Sequence, residues 1–362
     1  MERKNIDLSG LNAGCSALSW TTRDGAHLWG RNYDFDRLAE GSSITFLPQE
    51  TEYFTLLGNE GGAEPENACR SRYACAGTGL LLSPTPVLYE GINEKGLMGG
   101  QLYYRTFAHY EKERREHTAP LQPPFLVYHL LAQCATVEEA VRCLEQDVSL
   151  VSVPMMGTVP SLHWSFCDAA GESIVIEPDR DGLHIYRNTL GVMTNSPGYP
   201  WHRLNLLNYA GIRDLDYDGL QLENLSMEQC FSGSGAQGLP GDWSSPSRFI
   251  RLAFLKQYAL KGAHEAEGVS RMFRLFQAAA FPLGMVKVTH QSHITELDTQ
   301  VVPYDYTVYT AIYCAESLCV YWTTYENPRI QFLELGKLLD RREPLTVPMG
   351  RTPDFFNATP RL

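Results

Sequence analysis

Three side chains near the start of the chain could together perform nucleophilic chemistry: Cys15, Arg31 and Asp34. A thiol near its ordinary pKa of about 8.5 is a weak nucleophile unless a base or a positive charge assists it. An arginine stabilises the thiolate, and a carboxylate orients a neighbouring amine or thiol. Gly14-Cys15-Ser16-Ala17-Leu18-Ser19-Trp20 and Gly30-Arg31-Asn32-Tyr33-Asp34-Phe35-Asp36 read as two strands, with Thr22-Arg23-Asp24-Gly25 between them. Asp-Gly flanked by strand-like runs is a strong hairpin signal. The returning strand therefore carries Arg31 and Asp34 back toward Cys15.

Composition alone makes a lone strand cysteine a core residue. The flexible Gly14 before it and the polar stretch of fourteen residues at the start argue for another role. If the chain were cut between Gly14 and Cys15, the cysteine would hold a thiol and a free α-amine. An amine of pKa about 7.7–8.0 can take the thiol proton at neutral pH and return it to a leaving amine. Threonine paired with an N-terminal amine follows the same logic. Acyl transfer also needs oxyanion donors. The side-chain amide of Asn195, at the end of the strand expected over Gly191 to Thr194, is one candidate. A backbone N–H near Tyr103, beside Gly99-Gly100, is the second.

The elements that must position these residues are mostly strands. After the hairpin, strands are expected over Ser43 to Leu47, Glu52 to Leu57 and Tyr73 to Ala76, with a pair around the turn in Val87 to Tyr104. Adjacent Gly99 and Gly100 inside a strand imply a close approach by another group. Residues 105–124, with a charge run and a Pro-rich end, read as a solvated loop. Helices are expected over Phe125 to Cys134 and, behind the capping box Thr136-Val137-Glu138-Glu139, to about Gln146. Strands return from Ser149 to Thr194, helices from His202 to Tyr209 and from about Ser247 to Ala279, and strands again over Val288 to Thr295, Val308 to Cys314 and Cys319 to Thr324. Grouped antiparallel strands and helices argue for an α+β layered fold, with two sheets faced by helix layers in one domain.

The 362 residues carry a net charge of −12, which argues against nucleic acid and anionic membrane as partners. Apolar runs fall short of the roughly 20 residues a membrane span needs, and the start lacks a secretory core, so a cytoplasmic location is expected. Nine scattered cysteines without a C-x-x-C indicate neither a disulfide framework nor a zinc site. Gly233-Ser234-Gly235-Ala236-Gln237-Gly238 matches a dinucleotide fingerprint, but no apolar strand precedes it and Leu239-Pro240 stands where a helix should begin. His290 and His293 would point to opposite faces of a strand, which does not suit one metal.

The chain resembles the choloylglycine hydrolase family of N-terminal nucleophile (Ntn) hydrolases, which contains bile salt hydrolases and penicillin V acylases. The matching stretches are Cys15, Gly30-Arg31-Asn32-Tyr33-Asp34, Asn93-Glu94-Lys95-Gly96-Leu97, Thr194-Asn195-Ser196-Pro197 and Gly238-Leu239-Pro240-Gly241-Asp242-Trp243-Ser244-Ser245-Pro246-Ser247-Arg248-Phe249. The resemblance implies a four-layer αββα sandwich of two antiparallel sheets. It also implies autocatalytic exposure of Cys15 by removal of residues 1–14, leaving residues 15–362 as one domain. The reaction it implies is hydrolysis of a linear N-acyl amide through an acyl-thioester on Cys15. Arg31 and Asp34 would support the nucleophile, Asn195 would supply the oxyanion donor, and Arg248 would complete the charged site. No metal or organic cofactor and a homotetramer are implied. Bile salt hydrolases typically carry Asn at the position of Tyr103, where penicillin V acylases often carry Tyr. This places a penicillin V acylase-like substrate first, a conjugated bile salt close behind, and an N-acyl homoserine lactone third. An unprocessed, non-catalytic binding relative is the contrasting class, and a papain-like Cys–His enzyme the weaker rival.

Overall fold

The computed structural model describes residues 14–57, 66–155, 157–288 and 301–359. Residues 1–13 of the expected leader, the pair His290 and His293, and most of the strand expected over Val288 to Thr295 lie outside the described residues. The strand found nearby is Val286–Lys287.

The expected hairpin forms. β1 (Gly14–Thr21) pairs antiparallel with β2 (His27–Phe35), and the register sets Cys15 opposite Tyr33, Ala17 opposite Arg31 and Gly14 opposite Asp34. Gly25 closes the turn at φ +97°, a conformation that favours glycine. β1 and β2 are the central strands of a seven-stranded antiparallel sheet. On its far edge this sheet continues through Tyr304–Cys314, Cys319–Thr324 and Gln331–Glu334, and beside β1 lies Val192–Met193. The second large sheet has eight strands, including Val87–Asn93, Met98–Tyr103, Leu162–Cys167 and Ser173–Asp179.

Both faces of β1 and β2 are covered, so nearly every residue is buried, and the polar ones among them, such as Arg31, Asn32 and Asp34, must find partners inside the fold. One face meets the second sheet: the Trp29 indole donates to Ser165 Oγ at 3.0 Å. The other meets helices, where Asn32 Nδ2 donates to the Phe276 carbonyl at 3.0 Å. The outer layer on the eight-stranded sheet is α1 (Leu126–Gln133) and α2 (Val137–Arg142). After α3 (Tyr199–Asn205), the layer on the seven-stranded sheet is α4 (Ser245–Tyr258) and α5 (Glu265–Gln277). The order helix, sheet, sheet, helix is the αββα sandwich.

Several motifs owe their residues to this architecture. Asn93 accepts from the Lys95 and Leu97 amides at 3.0 and 3.1 Å and donates to the Leu131 and Cys134 carbonyls at 2.8 and 2.7 Å. One side chain thus shapes the turn and satisfies the orphan carbonyls at the end of α1. A Cβ on Gly100 would lie 2.5 Å from Glu90 Cβ and 2.8 Å from the Trp29 ring. That is the close approach expected from the paired glycines. The Thr136 hydroxyl accepts from the Glu139 amide at 3.2 Å, forming the expected N-cap, but α2 ends at Arg142 and passes into a π turn over Cys143–Asp147. The helical segment therefore reaches Asp147, as expected to about Gln146, but its last part is π rather than α. In the 105–124 stretch, Glu111 to Glu116 is exposed as expected, yet Arg115 pins it to the carbonyls of Leu144 and Glu145 at 2.8 and 2.9 Å. Of this stretch only Pro124 lines the central cavity. None of the described helices is long and apolar enough to cross a membrane.

Candidate active site

Cys15 is buried at the start of β1, and its three polar groups are held by three different side chains. Its amide N–H donates to Asn195 Oδ1 at 2.9 Å. Its carbonyl accepts from Arg248 Nη1. Its sulfur accepts from Arg31 Nη2 at 2.7 Å. The structure therefore brings Cys15, Arg31, Asn195 and Arg248 into one cluster, although Asn195 and Arg248 lie 180 and 233 residues away along the chain.

Arg31 is fixed from both sides of the sandwich. Its Nη1 donates to Glu90 Oε2 at 3.1 Å and to the Gln101 carbonyl at 2.7 Å, both on the opposing sheet. Glu90 in turn accepts from the Tyr309 hydroxyl at 2.8 Å. Arg31 is 1% exposed and Glu90 0%, so each charge depends on the other for compensation. Glu90 and Tyr309 escaped the reading of the sequence. The signal was a single glutamate in an otherwise apolar strand, a placement that demands a partner.

Asp34 accepts from the Thr307 hydroxyl at 2.5 Å, and its Oδ2 lies 3.9 Å from Arg248 Nη1 without a hydrogen bond from any described residue. Burial pushes the Asp34 carboxyl up to about 7, against the pull of Arg248, Thr307 and Arg31. Burial also raises the Cys15 thiol above its ordinary value, more than Arg31 lowers it. Burial thus works against the thiolate, so a nucleophilic role for this thiol would call for a nearby base.

Asn195 presents its amide in a defined sense. Oδ1 faces the Cys15 N–H and also accepts from Arg248 Nη2 at 2.7 Å, while Nδ2 donates to the Tyr103 carbonyl at 2.8 Å. Two donors on one side and a carbonyl on the other admit only this orientation. The structure thus places the Tyr103 carbonyl, not its N–H, against Asn195. Arg248 sits on α4, where Trp243 O accepts from Nε at 2.8 Å and Ser16 Oγ from Nη1 at 2.8 Å. Phe281 closes the site from the helix side: a Cβ on Gly14 would lie 2.4 Å from its ring.

Two histidines stand behind Asn195. The Nε2 of His163 contacts the Thr194 carbonyl at 2.9 Å and the Nε2 of His202 the Asn195 carbonyl at 2.9 Å. Among the described residues no histidine contacts the Cys15 sulfur, which argues against a Cys–His pair. Burial, aided by His163 and Arg248, pushes the His202 imidazole down to about 4. Its value in the unfolded chain is about 6.5. Between these values the unfolded state binds a proton that the folded state refuses. Stability therefore rises with pH across this window and is lost as pH falls from about 6.5 toward 4, by up to about 1.4 kcal/mol per pH unit. Urea denaturation at pH 7, 5.5 and 4.5 should show a shallower loss in His202→Gln than in the wild type. Parallel losses would contradict the assignment.

Above the sulfur lies a cavity of about 220 Å³. Cys15, Arg31, Asp34 and Gln101 supply its polar end. Its walls are Phe35, Leu80, Leu82, Val87, Tyr89, Leu102, Tyr103, Met155, Pro160 and Leu162. Tyr103 stacks on Phe35 with ring centroids 6.0 Å apart. The site offers an apolar chamber with charge and hydrogen-bond donors at one end, as an amide with a bulky apolar acyl group requires. Cys143, whose Sγ lies 3.6 Å from His129 Nε2, and Cys134 lie in the outer helix layer and do not line this cavity.

Two antiparallel sheets between helix layers, with this cluster at the start of a central strand, define an Ntn hydrolase fold. Residues 15–347 match the family of linear amide C-N hydrolases, choloylglycine hydrolase family. The chain belongs to that family and is a linear amide hydrolase. It is 31% identical to a bile salt hydrolase/transferase of Clostridium perfringens, over 93% of this chain and 98% of that protein. It superposes on a mutant of conjugated bile acid hydrolase from the same organism with a TM-score of 0.82 at 29% identity, covering 95% of this chain and 99% of that one. A penicillin V acylase of Pectobacterium atrosepticum is 34% identical, but over only 46% of this chain and 39% of that protein.

Proposed function

We propose that this chain is a cysteine hydrolase of conjugated bile salts, with Cys15 as its N-terminal residue after removal of residues 1–14. The observation that carries the reading is the three-way hold on Cys15 by Asn195, Arg248 and Arg31. In the uncut chain, attack of the thiol on the Gly14 carbonyl breaks the Gly14–Cys15 C–N bond, which frees the α-amine and leaves residues 1–14 as a thioester; water hydrolyses that thioester, releasing residues 1–14 as an acid and restoring the thiol. That amine is the base the buried thiol lacks, and Asp34 Oδ2 is an available acceptor for its added proton. The amine takes the thiol proton, and the sulfur, with Arg31 against it, attacks the substrate carbonyl. The second proton of Asn195 Nδ2, the one not given to Tyr103 O, faces the oxyanion. Proton return releases the amine product and leaves the acyl-thioester, which water hydrolyses to acid and thiol.

The substrate order expected from Tyr103 put a penicillin V-like amide first. Likeness to the relatives favours the opposite order. The bile salt hydrolase matches nearly end to end, whereas the penicillin V acylase matches over less than half of its length. The apolar walls of the chamber suit an apolar acyl group such as a steroid. A penicillin V-type aryloxyacetyl group is the second reading, favoured by the Tyr103–Phe35 stack, a ready aromatic slot. Parallel assays decide. Glycocholate and taurocholate should each show a higher kcat/KM than penicillin V. The reverse order would move the substrate class to aryloxyacetyl amides.

A further inference from the structure

The turn that carries Asn195 is clamped by groups that do not touch the cavity. His163 Nε2 meets the Thr194 carbonyl at 2.9 Å, and its Nδ1 meets Glu177 Oε1 at 3.3 Å. Both ring nitrogens face acceptors, so one proton must be held between His163 and Glu177. Glu177 also accepts from the Tyr199 amide at the start of α3, at 2.9 Å to each oxygen. Three residues along α3, His202 meets the Asn195 carbonyl at 2.9 Å while its ring stacks on Phe249 of α4, centroids 4.5 Å apart. The face of His163 is covered in the same way by Tyr104, at 4.5 Å and 9°. The Asn195 amide N–H is taken by Ser245 Oγ at 2.9 Å. A Cβ on Gly198, which follows the Asn195-Ser196-Pro197 turn, would lie 3.0 Å from Glu177 Oε2. The turn and its clamp are therefore packed without slack.

We propose that His202 and the His163–Glu177 pair are positioning residues for the reaction at Cys15, fixing the two consecutive carbonyls that aim the Asn195 carboxamide. This rests on the reading of Asn195 as oxyanion donor. A carbonyl accepts, so His202 acts through its Nε2–H and stays neutral in that role. Asn195 has one amide proton committed to Tyr103 and one for the oxyanion, so a small rotation of the turn misdirects the second. Misplacement of a reacting group by about 1 Å costs on the order of 100-fold in rate. Neither histidine enters the cavity, so substrate binding should be spared.

The test uses full-length wild type and the variants His202→Gln, His202→Asn, His202→Leu and His163→Leu. Glutamine places an N–H near the position of Nε2; asparagine is too short to do so. Active sites are counted by iodoacetamide labelling at Cys15, and kcat is expressed per labelled thiol, with glycocholate as substrate. In both leucine variants and in His202→Asn, kcat per thiol should fall about 10- to 100-fold with KM little changed. His202→Gln should recover most of the loss. Equal values for His202→Gln and His202→Asn, or a loss confined to KM or to the number of labelled thiols, would overturn the proposal. The Gln/Asn comparison stands even if the leucine variants fail to fold. Wild-type turnover that is absent, or that survives Cys15→Ala, indicts the underlying reading instead.

Discussion

Replacing Cys15 by alanine is expected to abolish amide hydrolysis and to leave residues 1–14 attached. The loss should be on the order of a million-fold, as when the nucleophile of a cooperating set is removed. The fold should survive, because alanine keeps the amide donated to Asn195 and the carbonyl held by Arg248. A near wild-type thermal melt would show that. Intact mass reads the second half of the expectation: the wild type should lose the mass of residues 1–14 and Cys15→Ala should not. Cys15→Ser separates the two steps. A hydroxyl can cut its own chain slowly once and yet turn over substrate poorly, since serine is the weaker nucleophile at neutral pH. Full activity in Cys15→Ala would defeat the account. Full activity in a wild type that retains residues 1–14 would defeat the processing step and, with it, the α-amine as the base.

The second large effect is on stability. Arg31→Met removes the positive partner of Glu90, which is fully buried. Leaving such a charge uncompensated costs about 3–5 kcal/mol, a large part of the stability of an ordinary domain. It also removes the guanidinium from the Cys15 sulfur, so the thiolate loses its stabilising charge. The double variant Arg31→Met/Glu90→Gln distinguishes the two roles. Neutralising Glu90 should recover most of the stability in urea unfolding and none of the activity. Recovery of activity in the double variant would show that Arg31 serves only to neutralise Glu90.

How much of this was legible in the sequence depended on distance along the chain. The Cys15, Arg31 and Asp34 grouping followed from one turn, because a hairpin fixes register locally. Asn195 and Arg248 reach Cys15 through a sheet edge and a helix, and no local pattern connects them to it. Asn195 was open to reading only as an amide at a strand end that could serve an oxyanion, and Arg248 came into view only through the family motifs. Glu90 was visible but unread. It sits among Val87, Leu88, Tyr89, Gly91 and Ile92, and a buried charge there implies an opposite charge across the sandwich. The helix order and most strands followed from periodicity and caps. Strands Gln331–Glu334 and Leu345–Val347 were missed because they are sheet edges, short and partly solvated, where alternation is weak. His163 and His202 were missed because a single histidine in a strand or a helix carries no local sign of a task, and their shared one appears only when the turn at Asn195 is folded.

The hold on Cys15 has a consequence for motion as well as for chemistry. A freshly cut chain end ordinarily frays, since it loses the covalent neighbour that kept it in line. Here the carbonyl and the sulfur stay anchored by Arg248 and Arg31, and the nitrogen keeps Asn195 as its acceptor. The backbone of β1 is still laddered to β2 through Cys15 and Tyr33. On the proposed reading, scission before Cys15 would therefore yield a terminus with little conformational entropy left to lose on meeting substrate. Its backbone should give NMR order parameters like those of the sheet interior, unlike an ordinary free end.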